Sequence, residues 1–218
     1  MKQVLVIDDH ALFREGLRLL LQSLDGSVEV TVTSTIEEAS EIARAGVFDL
    51  ILMDWHLEGV GGSDGLALLR EASPRARIVV LSGEKSTSLI RSVVDLGAVG
   101  FIPKDISPER LMDALRTIAS GGIYLPPTVL SSLERTGAKS HSGNSLRDIT
   151  LAFPGLTQRQ GEVLTATLRG LPNKLIAREL GISDGTVKTH LSVIYRELGV
   201  QSRTEAVYVA ARNGVRIS

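Results

Sequence analysis

The chain has 218 residues, 24 Lys+Arg against 25 Asp+Glu, no cysteine and 4% aromatics. Its 43% hydrophobic content supplies packed cores and excludes wholesale disorder, while the lack of cysteine excludes disulfides and thiolate metal sites. No run approaches the roughly 18 apolar residues of a membrane span, and the opening MKQVLVIDDH is not a secretory leader, so a cytoplasmic chain with no membrane partner is expected.

Short runs rich in Val, Ile and Leu occupy residues 4–7, 28–32, 50–53, 78–81 and 100–102. Each lacks a polar alternate face, as strands covered on both sides do. Helical patterns lie between them. Leu12, Leu19, Leu20 and Leu24 recur at helical spacing, Ser34 or Thr35 can cap a segment through Ala45, and Leu66 and Leu69 mark the third. Residues 86–96 and 107–120 make the fourth and fifth, the last with Pro108 just inside its start and Gly121 just past its end. Strands alternating with helices predict an α/β, (βα)5 doubly wound parallel sheet, whose ligands bind at the carboxyl ends of the strands.

After Pro126-Pro127 a short helix over residues 128–133 is expected, followed by the aperiodic, polar stretch ERTGAKSHSGNS, which reads as a linker. From Thr157 only helical patterns appear, predicting a small all-α domain. The expected organisation is residues 1–122, a linker over 123–153, and residues 154–218. Charge divides along nearly the same line. Residues 1–150 carry 15 Lys+Arg and 20 Asp+Glu, a net −5, whereas residues 151–218 carry 9 and 5, a net +4. The near-neutral total conceals an acidic domain joined to a basic one.

In a parallel sheet all carboxyl ends share one rim. Asp8 and Asp9 end the first strand, Asp54 the third and Ser82 the fourth, and Lys104 follows the fifth. Clustered carboxylates call for a hard divalent cation, and Mg²⁺ prefers one or two carboxylates plus a phosphate. Lys104 and the Ser82 hydroxyl would face a tetrahedral oxyanion. The set suits attack by a carboxylate on phosphorus.

The segments VLVIDDH, LILMDW, VVLSG and GFIPKD resemble the receiver domain of two-component response regulators over about residues 1–122. The resemblance implies that Asp54 accepts phosphate from a sensor histidine kinase, that Asp8 and Asp9 hold Mg²⁺ with Asp54, and that Lys104 binds the phosphate. It also implies that Ser82 is the switch hydroxyl and Phe101 the switch aromatic, which turns inward on phosphorylation. Two departures stand out. The loop after Asp54 reads WHLEGVGGSDG, with Glu58 where the family usually has Pro and about three extra residues; and Pro103 precedes Lys104 instead of following it. A nucleotide enzyme is disfavoured because the first strand leads into DDHALF, not a Gly-rich turn. A phosphatase of the Asp-x-Asp kind would need an acid where His56 stands. No enzyme is expected.

In the basic half, Thr157 can cap a helix to about Arg169, residues 173–180 form the next, and Ser183 caps a third over 184–198. Ser202-Arg203-Thr204-Glu205 reads as a capping box for a last helix over 204–213. Val187, Leu191, Ile194 and Leu198 form one apolar stripe. The opposite face offers Lys188, Thr189 and Ser192 to base edges and Arg196 to phosphates, with Lys174 and Arg203 as further phosphate contacts. LTQRQGEVL, GLPNKLIARELGIS, GTVKTHLSVIYRELGV and SRTEAV resemble the LuxR-type helix-turn-helix, with Gln160 where that family commonly has Glu. Together the halves resemble NarL/FixJ-type response regulators. This implies a transcription factor switched by phosphorylation, with DNA and a sensor kinase as partners and a homodimer as the active form. The alternative is a receiver governed by a protein partner, with DNA binding independent of phosphate.

Overall fold

A computed structural model describes residues 2–120, 122–126, 149–213 and 215. The expected helix over 128–133 and the linker that follows it lie outside the described residues. The first domain is a five-stranded parallel sheet of β1 (Gln3–Ile7), β2 (Glu29–Thr33), β3 (Leu50–Asp54), β4 (Arg77–Ser82) and β5 (Gly100–Pro103), in the order β2-β1-β3-β4-β5. Helices α1 (Ala11–Leu24), α2 (Ile36–Ala45), α3 (Gly62–Ala72), α4 (Thr87–Asp95) and α5 (Pro108–Ala119) connect and follow the strands. Alternate strand residues feed two cores. Val4, Val6, Leu50, Leu52, Val79 and Leu81 meet α1 and α5, whereas Leu5, Ile7, Ile51, Met53, Ile78 and Val80 meet α2, α3 and α4.

Thr35, Ser86 and Ser107 cap α2, α4 and α5 by accepting from the N–H groups of Glu38, Leu89 and Arg110. Two expectations need correction. β2 is an edge strand of sequence EVTVT, half open to solvent, and not a run covered on both sides. It pairs only with β1, so alternating polar residues cost it nothing. In α1 the buried residues are Leu17 and Leu21, while Leu12 is 89% and Leu19 55% exposed. The leucines recur on more than one face, and only the i, i+4 pair over the sheet is covered.

The helical domain contains α6 (Ile149–Ala152), α7 (Gln158–Leu168), α8 (Asn173–Leu180), α9 (Asp184–Leu198) and α10 (Arg203–Arg212). Gln160 does the work expected of an acid at its position, closing a full capping box with Thr157. At α10, Ser202 accepts from Glu205 N, but the Glu205 carboxylate reaches Gln201 N and not Ser202. The helix starts one residue earlier than its sequence pattern predicts.

The two domains touch at the receiver's α4. Thr204 Oγ1 donates to Asp95 Oδ1 at 2.6 Å, and the α10 residues Ala206, Val207, Tyr208, Val209 and Ala210 are all buried. Beside this contact two backbones meet directly. Gly97 (φ +101°) and Gly170 (φ +83°) both adopt left-handed conformations, and a Cβ on Gly170 would stand 2.0 Å from the Gly97 carbonyl oxygen. Residue 122, which the sequence reading places at the receiver's end, and residues 123–126, which it places at the linker's start, are also packed. Phe101 N–H donates to Tyr124 O at 2.9 Å, and Arg77 donates to Ile118 O and Gly122 O.

Leu52 lies fully buried in the central strand, whereas Val32 is on the open edge. Leu52→Ala should therefore cost about 2–5 kcal/mol in denaturant unfolding, and Val32→Ala no more than about 0.5 kcal/mol.

Candidate functional site

The parallel register carries the chemistry-bearing residues to one rim. Asp54 is the last residue of β3, opposite Leu81; Ser82 ends β4, opposite Pro103; and Asp8 follows β1, its N–H donating to Thr33 O. Asp8 and Asp54 are essentially inaccessible, as is Ser82. Lys104, one residue past β5, reaches back between the acids. Its Nζ lies 2.7 Å from Asp54 Oδ2 and 2.8 Å from Asp8 Oδ2. Burial opposes the Lys104 ammonium, yet hydrogen bonds and charge from Asp54 and Asp8 outweigh it and hold its pKa above lysine's ordinary value. The stability this linkage contributes is complete below the lysine range and lost only as pH rises through the raised value.

The cluster accommodates a cation. Asp8, Asp9, His10 and Asp54 each bring a ligand atom within 4.8 Å of the others. Asp8 Oδ2 and Asp9 Oδ1 are buried oxygens whose close partners are the Lys104 ammonium and the His10 imidazole. Three carboxylates face one ammonium, so the pocket is short of positive charge, and its carboxylate donors suit hard Mg²⁺. His10 is exposed and paired with Asp9 at 2.6 Å. An imidazole is a poorer Mg²⁺ donor than a carboxylate.

Ser82 Oγ accepts from Glu84 N at 3.0 Å. Phe101, expected to turn inward on phosphorylation, is already fully buried on β5. In the unusual loop after Asp54, Leu57 tucks inward, while His56 and Glu58 remain exposed. Sequence reasoning missed two supports. The Phe13 ring centroid lies 5.0 Å from Lys104 Nζ, and Arg14 donates to the Asp8 carbonyl. Their signal was their place in the first turn of α1, directly beyond the acids.

In the basic domain, α8 ends at Gly181 and α9 begins after Ser183, which accepts from Thr186 N at 3.0 Å. Val187, Leu191 and Ile194 are buried, and Gly185, Lys188, Thr189, Ser192 and Arg196 are exposed on the opposite side. Lys188 is held at 2.7 Å by Asp184, one turn earlier. Lys174 is exposed on α8. Arg203 needs correction as a phosphate contact, because its guanidinium is turned inward and donates to Thr167 O and Leu171 O. Burial lowers its pKa, against the opposing pull of Tyr195 and Asp95.

Facing it is a buried arginine that the sequence did not single out. Arg70 donates to Ala76 O and Gly97 O, and its Nε has no partner. Burial, with a smaller push from Arg203, lowers its pKa to about 10. The available signal was an arginine directly after Leu69 on the inner face of α3.

The profile of the "Response regulator receiver domain" family matches residues 4–116, and that of "Bacterial regulatory proteins, luxR family" matches residues 154–210. The chain is 34% identical to the glycerol metabolism activator of Pseudomonas putida, over 96% of this chain and 95% of that one. It is 35% identical to the nitrate/nitrite response regulator protein NarP of Escherichia coli, over 94% and 92%. A LuxR family DNA-binding response regulator from Silicibacter pomeroyi superposes with a TM-score of 0.52 at 36% identity, covering 59% of this chain and 99% of that one.

Lys104→Met leaves two buried carboxylates without their counter-ion and should destabilise the protein by about 3–5 kcal/mol in chelator. Millimolar Mg²⁺ should restore part of the loss, as read by thermal unfolding with and without the cation.

Proposed function

The chain belongs to the response regulators that join a receiver domain to a luxR-type DNA-binding domain, and from that membership we propose that Asp54 is its phospho-acceptor and the α4–α10 contact its readout. The observation that carries the proposal is the placement of Asp54, Asp8 and Lys104 in one buried ionic cluster at the sheet rim. As a phosphorylation-dependent transcription factor, the chain needs one carboxylate able to take a phosphoryl group. Asp54 stands in the middle of the rim, at the end of the central strand.

In transfer, an Asp54 carboxylate oxygen attacks the phosphorus of a phosphohistidine. The P–N bond breaks, the imidazole leaves with a proton, and an acyl phosphate remains. Asp8, Asp9 and Asp54 would hold Mg²⁺, which when bound offsets the negative charge on the phosphoryl oxygens. Lys104 exchanges its Asp54 partner for a phosphoryl oxygen. Ser82, released from Glu84 N, donates to another. Pulling the loop that begins at Ser82 shifts α4, which starts five residues later. Phe101 is already inside, so the change travels through the β4–α4 loop and does not require an aromatic to enter from solvent.

The downstream consequence follows from which surface α4 covers. The base-reading face of α9 is open, with Lys188, Thr189, Ser192 and Arg196 all exposed. What α4 covers is α10, whose apolar residues exceed the needs of one core. Phosphorylation would therefore release α10 as the homodimer surface, bringing two reading heads to DNA. The receiver is taken as residues 1–122 and the DNA-binding unit as 154–218, with α6 at the end of the connecting segment 123–153.

Asp54→Asn should abolish incorporation of phosphate from acetyl phosphate in Mg²⁺; undiminished labelling would sink the acceptor assignment. Lys188→Ala should weaken DNA binding by about 1–3 kcal/mol if it reads a base edge, and binding should fall steeply with salt. Thr204→Val removes one hydrogen bond worth about 1 kcal/mol. Unphosphorylated Thr204→Val protein should then dimerise on DNA about fivefold more readily, measured by titration in gel shift. If DNA binding ignores both phosphate and this contact, control by a protein partner is the better reading.

A further inference from the structure

On the side of the receiver opposite the acidic rim, the two domains enclose a cleft of about 600 Å³. Its receiver wall is the end of α2 and the segment leading into β3, with Arg44, Val47 and Phe48, and the turn after α3 with Arg75; its other wall is Leu175 and Arg178 of α8. Among the described residues, the side chains of Arg44, Arg75 and Arg178 make no ion pair or hydrogen bond, while Glu179, which also lines the cleft, is already held by Arg169 at 2.8 Å. The apolar lining is Phe48, Leu171 and Leu175, with Val47, 84% exposed, at its open edge.

We propose that this cleft binds a small anionic amphiphile, a carboxylate or phosphate head on an apolar body, and that the bound ligand holds the domains closed. Three arginines without carboxylate partners offer forked donors matched to either head group. Val47, Phe48 and Leu175 offer the surface that would bury the body. A volume of this size is typical of pockets that take such a ligand. Helix dipoles account for part of the pattern, since Arg44 and Arg178 lie in the last turns of α2 and α8. They do not account for Arg75, which lies outside any helix, or for the bare Val47. Because the walls come from both domains, a ligand that fits only the closed arrangement favours it by mass action. The proposal rests on the closed arrangement described above but not on Asp54 or on phosphate transfer.

The test is calorimetric titration of the full, unphosphorylated chain with decyl phosphate, decanoate and inorganic phosphate. One site per chain is expected, with decyl phosphate binding at least 30-fold more tightly than inorganic phosphate; comparison with decanoate tells a phosphate source from a carboxylate one. Arg44→Ala with Arg178→Ala should weaken binding at least tenfold, and Val47→Asp should do the same by placing a like charge at the open edge. These residues are exposed, so folding should be unaffected. Asp95→Ala, which opens the α4–α10 contact, should also weaken binding. Absence of saturable binding, equal affinity for inorganic phosphate, or indifference to the arginine pair would each overturn the proposal. Full binding in Asp95→Ala would overturn its interdomain character. No arm uses phosphorylation or DNA, so failure here is distinct from failure of the acceptor assignment.

Discussion

A single buried ammonium holds the rim of this receiver together. Lys104 Nζ sits between Asp8 and Asp54, two carboxylates that have almost no contact with water. Removing such charges from solvent costs several kcal/mol each, and is tolerated only where each finds a close counter-charge. The lysine thus ties the end of β5 to the ends of β1 and β3. Still, three acids face one base, so the pocket retains a deficit of positive charge. That deficit makes it receptive to a divalent cation, and a phosphoryl group that competes for the lysine necessarily disturbs the ties among the strands.

The second constraint is the surface where the domains meet, where apolar residues of α4 and α10 belong to one continuous buried cluster and polar groups lie beside it. Gly97 and Gly170 bring two backbones together without side chains, and Arg70 and Arg203 satisfy carbonyl oxygens at the turns on either side. Arg70 is buried and Arg203 part-buried, neither bonded to a carboxylate among the described residues, and burial lowers the pKa of each. A contact that brings two guanidiniums so near each other gains less than one built on an ion pair. Thr204 and Asp95 add a directional bond that depends on the position of α4. The chain's opposite charges, −5 and +4 in its two parts, favour association at longer range without fixing its geometry.

Most of the rim was legible in the residues. Asp8, Asp54, Ser82 and Lys104 stand immediately at strand ends, and a parallel sheet has only one rim on which those ends can emerge. The stripe of Val187, Leu191 and Ile194 likewise declared which side of α9 faces the core. Legibility failed where spacing was degenerate. The leucines of α1 lie on several faces, and only the sheet selects Leu17 and Leu21 over Leu12 and Leu19. Edge position is a property of strand order, although the alternation it permits in EVTVT is visible in the residues themselves. Arg203 resembled any other basic residue beside a helix start, and its burial depends on carbonyls of Thr167 and Leu171, more than thirty residues away.

By itself the sequence determined the two-part architecture, the charge division and the identity of the acidic, hydroxyl and basic groups on the rim. These follow from short-range periodicity and from the chirality and direction of βα units, which local patterns encode. Only the tertiary structure decided that α10, and not the reading face of α9, is the surface the receiver covers, that Phe101 already lies inside, and that three arginines from two domains line one cleft. Such facts depend on which surfaces meet after each domain is complete, and that meeting is governed by shape, burial and charge summed over residues far apart in the chain.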